Sequence, residues 1–340
     1  MRKGILGAGN WIIDKVKTID RWPGEGNLCN IIAEKRGGGG GPCNVLFDIA
    51  AIDPSVPLYA AGRIGDDDDG AFLLKEIARH GIDARYIRKS TTASTSYTDA
   101  MSGNGKRTFF HCRGANAEFV PADLDDVDVP ARFFYLGYLL LLDGLDADDA
   151  EYGTAGARLL ANMSAKGYEN VVDFVSEAPE KFRRIITPSL KYIDMLIINE
   201  VEAACCYGKE LRREDGSLDY AGLVPAAQSL LDGGVRKLVV IHFPEGAVGL
   251  EKGGKPIYVP SCKVATSEIV GSTGAGDAYA AGVLYALHQG MSLREAMDIG
   301  SASSRFNLLS ATATDGAVPL ATMREYLSTC SFNTIPEVFK

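Results

Sequence analysis

Short apolar runs alternate along the chain with longer stretches in which apolar residues recur every three or four positions. That rhythm predicts an α/β fold, a doubly wound and mostly parallel sheet flanked by helices. Ile5-Leu6 opens a first strand, and further strands are predicted at 58–61, 133–136, 171–174, 195–198 and 238–242. Val45, Leu46, Ile49 and Ile52 fall on one face of a helix over 42–52. A second helix runs from Asp68 to Gly81, a residue suited to a left-handed C-cap. The same period marks helices at 221–231, 274–287, 293–308 and 320–327.

Two stretches, 15–36 and 91–113, break the rhythm with Thr, Ser, Tyr and charge, and Ser96-Tyr97-Thr98-Asp99-Ala100 alternates. They predict hairpin strands that form a small separate sheet, able to cover a site as a lid. The expected organisation is therefore one α/β domain over 1–340 with a β lid. The chain shows no internal repeat and no heptad array.

Composition narrows the classes. Apolar residues make up 46% of the 340, which excludes wholesale disorder. A net charge of −9 argues against a nucleic-acid or anionic-membrane surface. The densest apolar stretch, 133–142, is about half of the ~20 residues that a membrane helix needs. After the basic Met1-Arg2-Lys3, the apolar run breaks at Gly7 and Asn10, too early for a secretory signal core. Seven cysteines without a CxxC pair read as reduced thiols of a cytoplasmic protein.

Glycine is in excess, with 38 residues, and gathers into three constellations. In Gly7-Ala8-Gly9-Asn10-Trp11-Ile12, the third glycine of a dinucleotide fingerprint is replaced by Ile12 and no amphipathic helix follows, so that reading is rejected. Gly37 to Gly41 run into Pro42-Cys43-Asn44 and a patterned helix, which favours a binding turn over a linker. Asn44 would face a polar ligand there. The third, Gly271-Ser272-Thr273-Gly274-Ala275-Gly276-Asp277, opens a helix whose backbone N–H groups make an anion site. Asp277 in that first turn is favoured as a carboxylate by the helix dipole. It either takes a proton from an attacking hydroxyl or merely caps the helix. A Gly-x4-Gly-Lys-Ser/Thr phosphate loop is absent from the sequence.

At these residues the chain resembles the PfkB (ribokinase-like) family of carbohydrate kinases. The resemblance rests on four stretches in the family's order. They are Gly39-Gly40-Gly41-Pro42-Cys43-Asn44, then Gly62 to Gly70 with the spacing G-x-x-G-x-D-x-x-G, then Asn199-Glu200-Val201-Glu202, then Thr273 to Asp277 with Ala281-Gly282. It implies ATP-dependent phosphorylation of a sugar hydroxyl. Asp277 would be the base, and Gly274, Ala275 and Gly276 the anion hole for the moving phosphoryl group. Thr273 would lie beside the nucleotide phosphates. Asn199 and Glu202 would organise Mg²⁺ and its waters near ATP, with Glu202 meeting the metal through water. Asp14 would accept the sugar hydroxyl, with Gly40 and Asn44 as further sugar contacts. The lid in relatives often mediates dimerisation, so a homodimer is implied, with a small-molecule sugar and ATP as partners and no nucleic acid or membrane. Two departures follow. The family usually has an acid where this chain has Gly271, so dependence on a monovalent cation is not carried over. The usual nucleotide-side turn reads Ile241-His242-Phe243-Pro244-Glu245-Gly246, keeping only its final glycine.

Two other readings stand beside the sugar kinase. One is a nucleoside kinase of the same superfamily, suggested by the Gly9-Asn10 start and the lid. The other is a sugar- or nucleotide-binding sensor without catalysis, suggested by Gly271 and the altered 241–246 turn. His80, His111, His242 and His288 are isolated and lack ligand spacing. Asp66 to Asp69 read as a polar turn feeding a helix, Arg107 and Arg113 as a solvated strand face or as contacts to an acidic sugar or a phosphate, with the solvated face favoured, and Trp11 and Trp22 as ligand-stacking or lid-packing residues.

Overall fold

The first strand, β1 (Ile5–Gly9), is buried along its whole length. Leu6 and Ala8 point into one core and Ile5 into the other, the period of two expected when both faces of a sheet are covered. In this computed structural model, which describes residues 3–104, 106–175 and 179–340, β1 lies near the middle of a large sheet. Met1-Arg2 of the basic start and Gly105 of the second lid stretch lie outside the described residues.

From β1 the chain leaves the large sheet for β2 (Ile12–Ile19) and β3 (Ile31–Gly39), then re-enters it through α1 (Gly41–Ile52) and β4 (Leu58–Gly65). α2 (Asp68–Arg79) leads to β5 (Asp83–Ser90), and β6 (Ser96–Gly103) and β7 (Lys106–Cys112) form the second excursion. β8 (Phe133–Leu139), α3 (Ala155–Ala165), β9 (Glu169–Phe174), β10 (Met195–Asn199), α4 (Glu200–Tyr207) and α5 (Tyr220–Asp232) follow. β11 (Leu238–Phe243), β12 (Gly246–Glu251) and β13 (Ile257–Pro260) close the sheet, and α6 (Ala275–His288), α7 (Leu293–Asn307) and α8 (Leu320–Thr329) end the chain.

Among the described residues the large sheet has nine strands in the order β13-β12-β11-β10-β9-β8-β1-β4-β5. All neighbours are parallel except β11–β12 and β12–β13. Helices α3, α4 and α5 cover one face, while α1, α2, α6 and α7 cover the other. The second sheet has the order β3-β2-β6-β7, so both irregular stretches meet in one lid. Its strands begin earlier than the sequence pattern suggests, since β2 starts at Ile12.

The glycine-rich stretches differ in use. Gly7 and Gly9 lie inside β1, and a strand rather than a helix follows, as the rejection of a dinucleotide fingerprint requires. Gly37, Gly38 and Gly39 are not a free turn: they pair with Asp14, Ile13 and Ile12 as the end of β3. A Cβ on Gly39 would fall inside the Asp14 carboxylate, so the missing side chain is what lets β3 pass that close. Only Gly40, with φ +88, turns the chain into α1.

The polar turn at 66–69 feeds α2 as expected, with Asp67 as its cap. The Asp67 carboxylate accepts from Gly70 N–H at 2.8 Å, and also from Thr95 N–H at 2.8 Å, tying α2 to the start of β6. Trp11 and Trp22 pack rather than stack on a ligand. Trp11 is fully buried and donates to Ala61 O at 2.8 Å, and Trp22 donates to Gly103 O at 2.9 Å. Among the described residues no helix is long and apolar enough to cross a membrane.

Candidate active site

The parallel strands β1, β8, β9, β10 and β11 end beneath the lid, where an open α/β sheet offers its ligand crevice. Two adjoining cavities, of about 510 Å³ and about 890 Å³, share Asn199, His242 and Gly276 in their walls. The smaller one gathers Asp14, Gly40, Asn44, Glu202, Thr273, Gly274 and Asp277. Ala275 lines the larger. The residues that the family resemblance placed in the site therefore line one or the other of these two cavities.

α6 begins at Gly274, whose φ of +78 turns the loop so that the first helical N–H groups face the crevice. A Cβ there would come within 2.7 Å of Ala313 O, so the turn has room only for glycine. At Gly276 the limit is milder: its Cβ would lie 3.2 Å from His242 Cε1, a tight contact that the ring must yield to. His242 packs against Tyr279 with centroids 4.9 Å apart and the rings tilted by 31°, and burial pushes its imidazole down to about 4, which keeps it neutral.

Asp277 is 6% exposed. Tyr138 Oη donates to its Oδ1 at 2.6 Å, and Asn44 Nδ2 donates to its Oδ2 at 2.8 Å. Burial raises its pKa to about 6, while those two hydrogen bonds hold it from rising further. At about 6 the group still stands mostly as the carboxylate at neutral pH. Asp14 on β2 rises to about 7, chiefly by burial and secondarily through the charge of Asp277. Burial also lifts Asp173, at the end of β9, with Glu202 and Asp277 adding repulsion.

Asn199 and Glu202 form a capping box at the start of α4. Asn199 Oδ1 accepts from the N–H groups of Val201 and Glu202, both at 2.9 Å, and Glu202 Oε2 accepts from Asn199 N–H at 3.1 Å. Glu202, Asp173 and Asn199 present oxygen donors to one cavity, the ligand chemistry that Mg²⁺ takes. No group of three or more His, Cys, Asp or Glu among the described residues is arranged to hold a metal directly.

The lid contributes more than the sequence suggested. Arg107 on β7 is no solvated residue: its guanidinium donates to the Thr273 hydroxyl across the crevice. A Cβ on residue 271 would lie 2.9 Å from Arg107 Nη2, so this lid arginine stands beside Gly271. Arg113 donates to Asp143 Oδ1 at 2.8 Å. Thr98 and His111 line the smaller cavity and meet each other at 3.0 Å. Tyr138, Asp173 and Thr98 carry no role in the sequence reading, and His111 is read there only as an isolated histidine. Only Asp173 carried a signal, a carboxylate at the C-terminal end of an apolar run.

The family model described as pfkB family carbohydrate kinase matches residues 12–319. The chain is 26% identical over 272 residues to adenosine kinase from Saccharomyces cerevisiae, covering 77% of this chain and 75% of that one. It is 23% identical over 306 residues to a 5-dehydro-2-deoxygluconokinase from Clostridium perfringens, covering 85% and 83%. Its fold superposes on Arabidopsis thaliana ribokinase complexed with ribose and ATP with a TM-score of 0.76, at 20% identity over 97% of this chain and all of that one.

Proposed function

The chain belongs to the pfkB family of carbohydrate kinases, and from that premise we propose that it transfers the γ-phosphoryl group of ATP to a hydroxyl of a sugar. The observation that carries this reading is Asp277, buried at the N-terminus of α6 with both carboxylate oxygens held by Tyr138 and Asn44. A carboxylate with a pKa of about 6 is mostly ionised at neutral pH and basic enough to accept a hydroxyl proton as the new bond forms. Tyr138 and Asn44 orient it. The N–H groups at Gly274, Ala275 and Gly276 would receive the charge that builds on the transferring oxygens. Asp14 faces the same cavity and would position substrate hydroxyls, with Asn44 and Gly40 beside it. Mg²⁺, when bound with ATP, supplies charge neutralisation of the phosphates, and Glu202 with Asn199 would hold its water shell. The lid would exclude water, the competing acceptor.

The test is coupled ADP release over a panel of sugars and nucleosides. In Asp277→Asn, turnover should fall by roughly 10²–10⁴ with the fold intact. Full acceptor-dependent turnover in that variant would sink the base assignment.

A second reading has its own support. The smaller cavity has an apolar side formed by Ile12, Phe109, Leu141 and Phe174, suited to a base or other aglycone joined to the sugar. A nucleoside kinase would phosphorylate adenosine and leave free sugars untouched. We further read the chain as one kinase domain over 1–340 whose lid pairs in a homodimer, a reading supported by the exposed Ile31, Ile32 and Phe110. The seven unpaired cysteines support a cytoplasmic location.

A further inference from the structure

The larger cavity holds a cation that the kinase reading leaves without a task. The cavity runs from Ser272, Ala275 and Gly276 at the phosphate turn to Val259, Ser261 and Asn333 at the sheet edge. Along α7 its wall is made by Met297, Ser301, Ser304, Arg305 and Leu308, the three- and four-residue spacing of one helix face. Arg305 is the charged member of that face. Its side chain is 11% exposed. Nε and Nη1 are buried and meet no acceptor among the described residues. Glu268 Oε1 stands 3.6 Å from Nη2, beyond hydrogen-bond reach. The rings of Phe306 and Tyr326 lie 5.3 and 4.8 Å from the guanidinium carbon and hold the head in place.

Three other partly buried arginines have carboxylate partners. Arg63 meets Asp123 at 2.8 Å, Arg158 meets Asp149 at 2.5 Å and Arg212 meets Glu200 at 2.6 Å. A guanidinium cannot shed its proton to escape burial, so donors left unmet are costly. An oxygen-bearing ligand in the cavity would remove that cost.

We infer that Arg305 is a recognition residue of this cavity, donating hydrogen bonds to an oxygen of the bound phosphoryl-donor nucleotide. The inference rests on the reading of the cavity as the nucleotide site. Two parts of a nucleotide offer that oxygen. One is the phosphate chain, because Ser272 and Ala275 of the phosphate turn line the same cavity. The other is a base carbonyl: guanine presents O6 and N7 as acceptors, whereas adenine presents an amino donor at N6.

Calorimetric titration of the intact protein with ADP, GDP, adenosine and guanosine, in the absence of any acceptor sugar, tests this. Arg305→Gln should weaken binding of at least one diphosphate by roughly ten- to a hundredfold, the range for hydrogen bonds to a charged group. Arg305→Lys, which keeps the charge, should recover part of the loss, and thermal melts of both variants check the fold. A loss equal for ADP and GDP assigns the contact to phosphate. A loss confined to GDP and guanosine assigns it to the base carbonyl. Unchanged affinities in folded Arg305→Gln and Arg305→Lys would overturn the assignment and leave the kinase reading standing. Failure of the unmodified protein to bind either diphosphate would overturn both.

Discussion

Asp277 shows how a single residue acquires its chemistry from neighbours that the sequence keeps far away. Asn44 is 233 positions distant and Tyr138 is 139, yet each donates to one of its oxygens. Because Asp277 must be ionised to accept a proton, kcat/KM should fall as pH drops through about 6. Tyr138→Phe removes the larger of the two hydrogen bonds that lower this pKa. The acid limb of the profile should then move to higher pH, and a limb that stays in place would show that Tyr138 does not tune the base. Asp48, one turn after Asn44 on α1, behaves differently. It is 1% exposed and neither carboxylate oxygen has a partner among the described residues. Burial, with Asp277 adding repulsion, puts its pKa well above the usual value of 3.8. The unfolded chain therefore loses this proton more readily than the folded one, so the group's contribution to stability is lost as pH rises above about 4. Asp48→Asn should be more stable than the parent by an amount that grows between pH 4 and 7.5, read from denaturant midpoints. A gain independent of pH would contradict the assignment.

At the scale of elements, alternation and periodicity were enough for the central strands and long helices, because burial on both faces leaves apolar signatures that local sequence carries. β5, β12 and β13 were not legible. β5 reads Asp-Ala-Arg-Tyr-Ile-Arg-Lys-Ser, the charged face of an edge strand, and β12 carries glycines at Gly246 and Gly249. At Gly249 a Cβ would come 2.8 Å from Met297 Sδ, so helix packing rather than strand propensity chose the residue. The α2 cap joins two elements at once. Asp67→Ala should cost about 1 kcal/mol for the lost cap. It should also raise amide exchange at Thr95, whose N–H the same carboxylate accepts. Destabilisation without faster exchange at Thr95 would show that the link to β6 is incidental.

Across the whole molecule, the lid and the phosphate turn meet through Arg107 and Thr273, 166 positions apart. That contact predicts a role in keeping water out. Arg107→Ala should increase ADP release in the absence of acceptor relative to sugar-dependent release, measured as the ratio of the two rates. An unchanged ratio would mean that the lid seals without this contact. Gly271 belongs to the same scale: a Cβ there would come 2.8 Å from Ser310 O and 2.9 Å from Arg107 Nη2, so the lid arginine closes over a position that only glycine leaves open to it.

The sequence alone determined the family, the alternation of strands and helices, the two lid stretches and the residues that converge on the site. Those features are local: glycine at a steep turn, a cap at a helix start and apolar spacing each act within a few positions. Tertiary structure alone decided what each site residue meets. The pKa of Asp277 is raised because elements distant in sequence exclude water around it. The five-glycine run is mostly strand because Asp14 lies across from it. Arg107 spans the crevice, and Arg305 stands without an acceptor in a cavity wall, because long-range packing sets burial and partners, and no local pattern encodes either.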